Sequence, residues 1–124
     1  GAGHTVTALY EVEPTTIEPP AAPPRDEALF TLRLRYKQPE GQTSRLLEQV
    51  FGDDGCTFEQ ASVDLRFAAA VATFGLALRE SPHKGASTLA LAEQLAAASL
   101  GRDPHGQRTE FVELVRHARR VTGQ

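Results

Sequence analysis

Apolar and polar residues alternate with a period of two in the first half of the chain, and apolar residues recur at spacings of three and four in the second half. The clearest alternation lies in residues 28–37, where Phe30, Leu32, Leu34 and Tyr36 are separated by polar side chains. This alternation predicts a β-strand with one buried face.

Two further strands are predicted, one on each side of residues 28–37. The first candidate is residues 5–13, although Leu9 breaks its alternation, and the other is residues 44–51. The segment 38–42, "QPEGQ", has the proline and glycine of a turn and predicts a hairpin. Residues 14–27 contain five prolines, which remove amide donors and predict a loop.

Three helices are predicted after the strands. The first spans about residues 62–80; the second is capped by Ser87 and ends at Gly101; the third begins near Asp103 or Gly106. The residues predicted to face the core are, helix by helix, Val63, Phe67, Ala70, Val71, Phe74 and Leu78, then Leu89, Ala92, Leu95, Ala96 and Leu100, then Phe111, Leu114, Val115, Ala118 and Val121.

Strands followed by helices predict an α+β fold, with a small antiparallel sheet of about three strands and then a three-helix C-terminal subdomain. Residues 1–58 form the β-rich part, with the Pro-rich loop 14–27, and residues 59–124 form the three-helix part, in one compact unit. Gly75 lies inside the first helix, where a glycine costs about 1 kcal/mol relative to alanine. A close contact with another element is expected there.

Composition and charge exclude several classes of protein. The 124 residues include 13 basic and 16 acidic side chains, a net charge of -3, so no polycationic surface for nucleic acid is expected. No apolar run is long enough for membrane insertion, and the N-terminal residues lack the features of a signal peptide. The single cysteine, Cys56, excludes an internal disulfide and a cysteine-rich zinc site. These observations leave the compartment open.

No catalytic, metal or cofactor site is predicted. The four histidines include no pair at the four-residue spacing of a zinc-binding helix. "GDDG", residues 52–55, has two carboxylates in a turn but lacks the further acidic ligands of an EF-hand loop. "GAGH", residues 1–4, lacks the third glycine of a dinucleotide fingerprint. Cys56 has no neighbouring base in sequence and is interpreted as a small packed side chain. The chain is therefore predicted not to be an enzyme.

One short basic face is a candidate for interaction with an acidic partner. It is formed by alternate residues of the strand 28–37 and is joined by a tyrosine from the first strand candidate. The four candidate residues are Tyr10, Arg33, Arg35 and Lys37. The alternative is an enzymatic or small-ligand domain whose site combines residues of the turn and of the third helix. That site would contain Asp53, Asp54, Arg108 and Glu110.

The order of several segments resembles the C-terminal region of bacterial von Willebrand factor type A (vWA) proteins of the YfbK type. The most specific segments are "RFAAAVATFGLALR" at residues 66–79, the Lys84–Gly85 turn, and "DPHGQRTEFVELVRHA" at residues 103–118. The resemblance spans nearly the whole chain, apart from the Pro-rich residues 14–27. It implies a non-enzymatic module that follows a vWA domain, supports it, and helps present it to other proteins, for example at the cell envelope.

The resemblance has consequences for metals and for the sheet. The metal-binding Asp-x-Ser-x-Ser motif belongs to the upstream vWA domain and does not occur here, so no cofactor is expected in this chain even if the upstream domain holds a divalent metal. Strands from before the vWA domain are expected to complete the sheet. The chain alone would then leave an apolar face or a strand edge uncovered, and would form a homodimer or swap strands.

Overall fold

The computed structural model describes residues 5–13 and 28–123. It contains a two-stranded antiparallel sheet followed by three α-helices, which confirms the α+β class. The described residues divide into a hairpin unit and a helical unit. By residue number, the hairpin unit contains 5–6, 10–13 and 28–56, and the helical unit contains 7–9 and 57–123.

The hairpin unit is built on strands β1 (Ala28–Lys37) and β2 (Ser44–Gly52), which pair antiparallel. The connecting turn is closed by a hydrogen bond of 2.8 Å from the Gly41 amide to the Gln38 carbonyl. Pro39 stands second in this turn, and Glu40 stands third with a φ of 63°, the two features of a type II turn. The predicted hairpin is therefore confirmed.

The strand predicted at residues 5–13 is wrong. Residues 5–13 have no regular secondary structure, and Val6 and Tyr10 are largely exposed. A strand requires a neighbour to complete its ladder of hydrogen bonds, and the described residues provide none for this segment. The sheet thus has two strands in place of about three. The Pro-rich loop predicted at residues 14–27 lies outside the described residues.

The helical unit contains α1 (Val63–Leu78), α2 (Leu89–Ala98) and α3 (Gln107–Thr122), preceded by one 3-10 turn at Phe58–Gln60. All three predicted helices are present. Their bounds fall within a few residues of the expected ones, as is usual for helix ends.

Side-chain caps set the starts of α1 and α2. The Ser62 hydroxyl accepts a hydrogen bond of 3.1 Å from the Leu65 amide, and the Thr88 hydroxyl accepts one of 3.0 Å from the Leu91 amide. Thr88 is therefore the cap of α2, one residue after the predicted Ser87. Each cap satisfies one amide that the helix itself leaves without a partner.

The end of α1 is a Schellman motif without its usual glycine. The Glu80 amide donates to the Ala77 carbonyl at 3.1 Å, and the Ser81 amide donates to the Leu76 carbonyl at 3.0 Å. Glu80 takes the left-handed conformation that this motif requires, with a φ of 49°. Since a side chain with a Cβ is disfavoured in that conformation, the end of α1 is locally strained.

The core of the helical unit consists of small aliphatic side chains surrounded by aromatic rings. Ala70, Ala96 and Val112 form its centre, one from each helix. The Phe111 ring lies between the rings of Phe67 and Phe74, at 5.5 Å from each in edge-to-face geometry. The buried alanines allow the helix axes to approach closely, and the rings fill the remaining space.

The predicted core face of α2 is confirmed, but those of α1 and α3 are partly wrong. Val63, Val71 and Leu78 of α1 are exposed, as are Leu114 and Val121 of α3, and Val112, which was not predicted, is buried. Apolar residues lie all around α1, and two of them are adjacent at Phe111 and Val112 in α3. In both helices the sequence period therefore does not define a unique face.

Two glycines of the helical unit, Gly75 and Gly101, have different surroundings. A Cβ at Gly75 would meet no atom of the described residues within 4 Å, so the close contact expected there is not found. Gly101, in the connection between α2 and α3, has a φ of +54°, and a Cβ there would lie 2.7 Å from Cγ1 of Val63. Gly101 is thus required both by its backbone conformation and by its contact with α1.

Candidate interaction surfaces

The basic face of the hairpin carries the predicted interaction residues of β1. Arg33 Nε lies 2.5 Å from Glu48 Oε2 on the opposite strand, and Arg35 Nη1 lies 3.4 Å from the Ser44 hydroxyl, a long hydrogen bond. The Arg33 pair is exposed to solvent, where such pairs contribute about 0–1 kcal/mol. Glu48 therefore offsets part of the positive charge that the sequence indicated.

Tyr10 is not brought to this basic face by any described contact. It is 79% exposed in the segment without regular structure. Lys37 ends β1 opposite Ser44. Of the predicted set, Arg33, Arg35 and Lys37 form a row of three basic residues on one strand.

The other face of the hairpin is apolar and incompletely covered. Phe30 of β1 and Phe51 of β2 stack with their ring centroids 5.0 Å apart. No residue of either strand is fully buried, and Leu32 alone is half-buried. By the pairing register, six apolar or aromatic side chains share this face with two polar ones: Phe30, Leu32, Leu34 and Tyr36 of β1, and Arg45, Leu47, Gln49 and Phe51 of β2.

The carboxylates of the "GDDG" turn bind backbone amides. Asp53 accepts a hydrogen bond of 2.8 Å from the Gly55 amide, and Asp54 accepts one of 2.9 Å from the Cys56 amide. The hydrogen bond to Asp54, followed by the charge of that carboxylate, raises the pKa of the exposed Cys56 thiol. A raised pKa lowers the thiolate fraction, so this thiol is a weak nucleophile.

Arg108 connects all three helices. Its Nη1 donates to the carbonyls of Ser99 at 3.4 Å and Leu100 at 3.3 Å, at the end of α2. Its Nη2 pairs with Asp64 of α1, and its guanidinium carbon lies 4.8 Å from the centre of the Phe67 ring. Arg108 is therefore occupied by contacts within the protein.

The other members of the alternative small-ligand site are distributed over the chain. Asp53 and Asp54 belong to the hairpin unit, whereas Arg108 and Glu110 belong to the helical unit. Glu110 is an exposed residue in the first turn of α3. Nearby, the hydrogen bond from the Thr109 amide lowers the pKa of the Asp103 carboxyl.

Two kinds of functional element, a metal site and a membrane-spanning helix, are absent from the described part of the chain. Within residues 5–13 and 28–123, no three His, Cys, Asp or Glu side chains are grouped as ligands for a metal ion. Of the described helices, none combines the length and apolar character needed to cross a bilayer.

The outer face of α1 is apolar although it is exposed. Leu65 is 46% exposed, Val71 43% and Leu78 53%, and Gly75 lies beside Val71 and Leu78 with open space in front of it. No charged residue occurs between Arg66 and Arg79. The term outer face of α1 refers below to Leu65, Val71, Gly75 and Leu78.

A groove between α2 and α3 contains most of the charge at one end of the helical unit. Glu93 accepts from Arg116 Nε at 2.9 Å and from Arg119 Nη1 at 2.5 Å, and Arg116 Nη1 also binds Glu113 at 2.6 Å. Together with Arg120, the residues Glu93, Arg116 and Arg119 line a shallow cavity of about 290 Å³. These four residues are named the arginine groove.

The sequence interpretation did not find this groove. Its local signals are modest: Glu93 is the single charged residue of α2, and three arginines lie in the last turns of α3. Glu93 and Arg116 are 23 residues apart. Their pairing follows only from the packing of α2 against α3.

Residues 1–121 match the family model described as "Uncharacterized protein YfbK, C-terminal". The chain is also similar to the "Uncharacterized protein YfbK" of Escherichia coli, with 33% identity over 134 aligned positions. This alignment covers 98% of the chain but 23% of the relative. No solved structure matches the chain.

Proposed function

Because this chain belongs to the YfbK C-terminal family, we propose that it is a non-enzymatic interaction module that lies C-terminal to a vWA domain. In this proposal the module packs against that domain and supports its interaction with other proteins. The observation that carries the proposal is the set of exposed apolar side chains on the outer face of α1, most of which lie in a stretch, residues 67–78, that contains no charged residue. A helix that is apolar on all sides is typical of a helix covered on all sides.

Burial of this face would contribute part of the free energy of docking. Leu65, Val71 and Leu78 are each about half exposed. Full burial of such a side chain is worth about 1.5–3 kcal/mol, so covering these three would contribute on the order of 3 kcal/mol. Gly75 adds no side chain, which allows a partner backbone to approach α1 closely.

Two features support a role other than catalysis. The Cys56 thiol has a raised pKa, and Arg108 is held by contacts among the three helices. A thermal-shift screen of metals, nucleotides and sugars tests this part of the proposal. Saturable stabilisation by one class of compound would favour a small-ligand function instead.

The docking surface is tested with a matched pair of variants. Leu78 on α1 and Leu114 on α3 are 53% and 52% exposed, so Leu78→Gln and Leu114→Gln remove similar apolar surface from different faces. We expect Leu78→Gln to weaken binding to a polypeptide carrying the upstream vWA domain about fivefold, and Leu114→Gln to leave it unchanged. Isothermal titration calorimetry measures both. Equal effects of the two variants, or a gene that encodes no vWA domain ahead of this chain, would contradict the proposal.

For the chain studied alone, we propose self-association through the apolar face or the strand edges of the hairpin. A two-stranded sheet is marginally stable in water, and long strand edges pair readily with a second copy. Sedimentation velocity over a range of concentrations tests this. Leu34→Lys, which places a charge in the apolar face, should shift the distribution towards monomer. A wild-type chain that stays monomeric at every concentration would exclude a second copy of the chain as the partner.

A further inference from the structure

The arginine groove is positive although the chain as a whole is negative. Three guanidinium groups face the two carboxylates of Glu93 and Glu113. No acidic residue follows Glu113 in the sequence, whereas the chain has a net charge of -3. The positive charge of the groove therefore comes from the three arginines of α3, and the packing of α2 against α3 adds the carboxylate of Glu93.

Glu93 fixes the shape of this groove. Its two carboxylate oxygens bind two different arginines, so the carboxylate orders Arg116 and Arg119 against α2. The hydrogen bonds from Arg116 and then Arg119 lower the pKa of the Glu93 carboxyl, and the bond to Glu93 raises the pKa of Arg116. Glu93 and Arg116 therefore both carry their charges at neutral pH.

Arg120 differs from its two neighbours. Within the described residues, its hydrogen-bond partner is Nδ1 of His117 at 3.5 Å, the limit of such a bond. An arginine has five donors in a planar fork that suits carboxylates. Most of the donors of Arg120 are thus available to a ligand at the edge of the cavity.

We propose that the arginine groove binds an acidic segment of a partner protein, with Arg120 contacting the partner carboxylates and Glu93 acting as a positioning residue. Arg116 and Arg120 are four residues apart on α3, so their side chains leave the helix about 5–6 Å apart at Cβ. Arg116 is held by Glu93 and Glu113, so it adds positive charge beside Arg120, and Arg120 is the group that contacts the partner. A nucleic-acid backbone requires a broad row of cationic contacts, whereas this groove has three arginines, two of which are paired with Glu93. The proposal rests on the proposed function in assuming a protein partner, but it uses a surface other than the outer face of α1.

The experiment uses a fluorescein-labelled oligoglutamate peptide and the whole chain, with fluorescence anisotropy as the readout. We expect saturable binding that weakens as salt rises, because exposed charges are screened. Arg120→Gln should weaken binding about two- to fivefold, and Arg120→Glu about tenfold or more. Arg102→Gln is the matched control, since Arg102 is also exposed but lies in the connection between α2 and α3. It should bind the peptide like the wild type.

Each result decides for or against the groove. Weaker binding by Arg120→Gln, with Arg102→Gln unchanged and with normal helical circular dichroism, supports it. Equal weakening by both variants overturns it, since the peptide would then respond to the overall charge of the protein and not to the groove. Wild-type binding by Arg120→Gln also overturns it, since Arg120 would then not contact the peptide. Competition by inorganic phosphate but not by free oligoglutamate would also overturn it, as the groove would then be a phosphate site. Leu78→Gln should bind the peptide normally, so failure of the vWA-docking proposal is distinguishable from failure of this one.

Discussion

Arg108→Ala is the substitution for which the structure gives the most detailed expectation. The side chain begins in the first turn of α3, ends at the last carbonyls of α2, and covers the Phe67 ring of α1. Removal of this side chain therefore weakens the contacts of α3 with both α1 and α2. It also leaves the Ser99 and Leu100 carbonyls without this donor at the negative end of the α2 dipole.

The expected loss in the free energy of unfolding follows from the geometry of each contact that Arg108 makes. The two bonds to carbonyls are long, 3.4 and 3.3 Å, and together are worth about 1 kcal/mol. The contact with the Phe67 ring, at 4.8 Å, adds about 0.5–1 kcal/mol. The pair with Asp64 adds little, because the Asp64 side chain is 83% exposed and solvent screens it. We expect Arg108→Ala to lower the free energy of unfolding by about 2 kcal/mol.

Urea denaturation followed by circular dichroism at the helix band measures this loss. Arg108→Lys keeps the charge but not the planar fork, and should lose about half as much. Arg102→Ala and Asp64→Asn should each stay within about 0.5 kcal/mol of the wild type. An Arg108→Ala protein as stable as the wild type would refute the reasoning. So would an Asp64→Asn variant as unstable as Arg108→Ala, because the exposed ion pair would then dominate.

Three further expectations concern backbone conformation and pH. Glu80→Gly should stabilise the protein by about 0.5–1 kcal/mol, because glycine adopts the left-handed conformation at the end of α1 without strain. Glu80→Ala keeps a Cβ and should give no gain in the same urea titration. Gly101→Ala should lower the free energy of unfolding by about 2–4 kcal/mol and Gly106→Ala by about 1 kcal/mol. Both glycines have a positive φ, but only a Cβ at Gly101 would press against Val63. Equal losses would argue against that contact. The Asp103 carboxylate has a lowered pKa, so its stabilisation is present above the unfolded value near 3.8 and is lost as pH falls through the folded pKa. Thermal melts should therefore show a steeper loss below pH about 4 for the wild type than for Asp103→Asn, and parallel curves would contradict this.

Sequence reasoning identified the hairpin and the helices because their patterns are local. The alternation in β1 and the caps before α1 and α2 involve residues within a few positions of each other. The faces of α1 were not predictable, because its alanines, valines and leucines occupy every side of the helix. The arginine groove could not be found either, since the partners of Glu93 lie 23 and 26 residues away and meet only after α2 and α3 pack.

The arginines at the two ends of α3 differ in the number of hydrogen-bond acceptors that surround them. Around Arg108, the carbonyls of α2, the Asp64 carboxylate and the Phe67 ring provide a partner for each part of the guanidinium. Around Arg120, Glu93 is already bound by the two other arginines of the groove, and the remaining described partner is His117. A stabilising role for Arg120 would require an acceptor that the described residues lack. We therefore expect Arg108→Ala to change stability more than peptide binding, and Arg120→Gln to change peptide binding more than stability. This opposite pair of outcomes separates an arginine that holds the fold from one that is available to a partner.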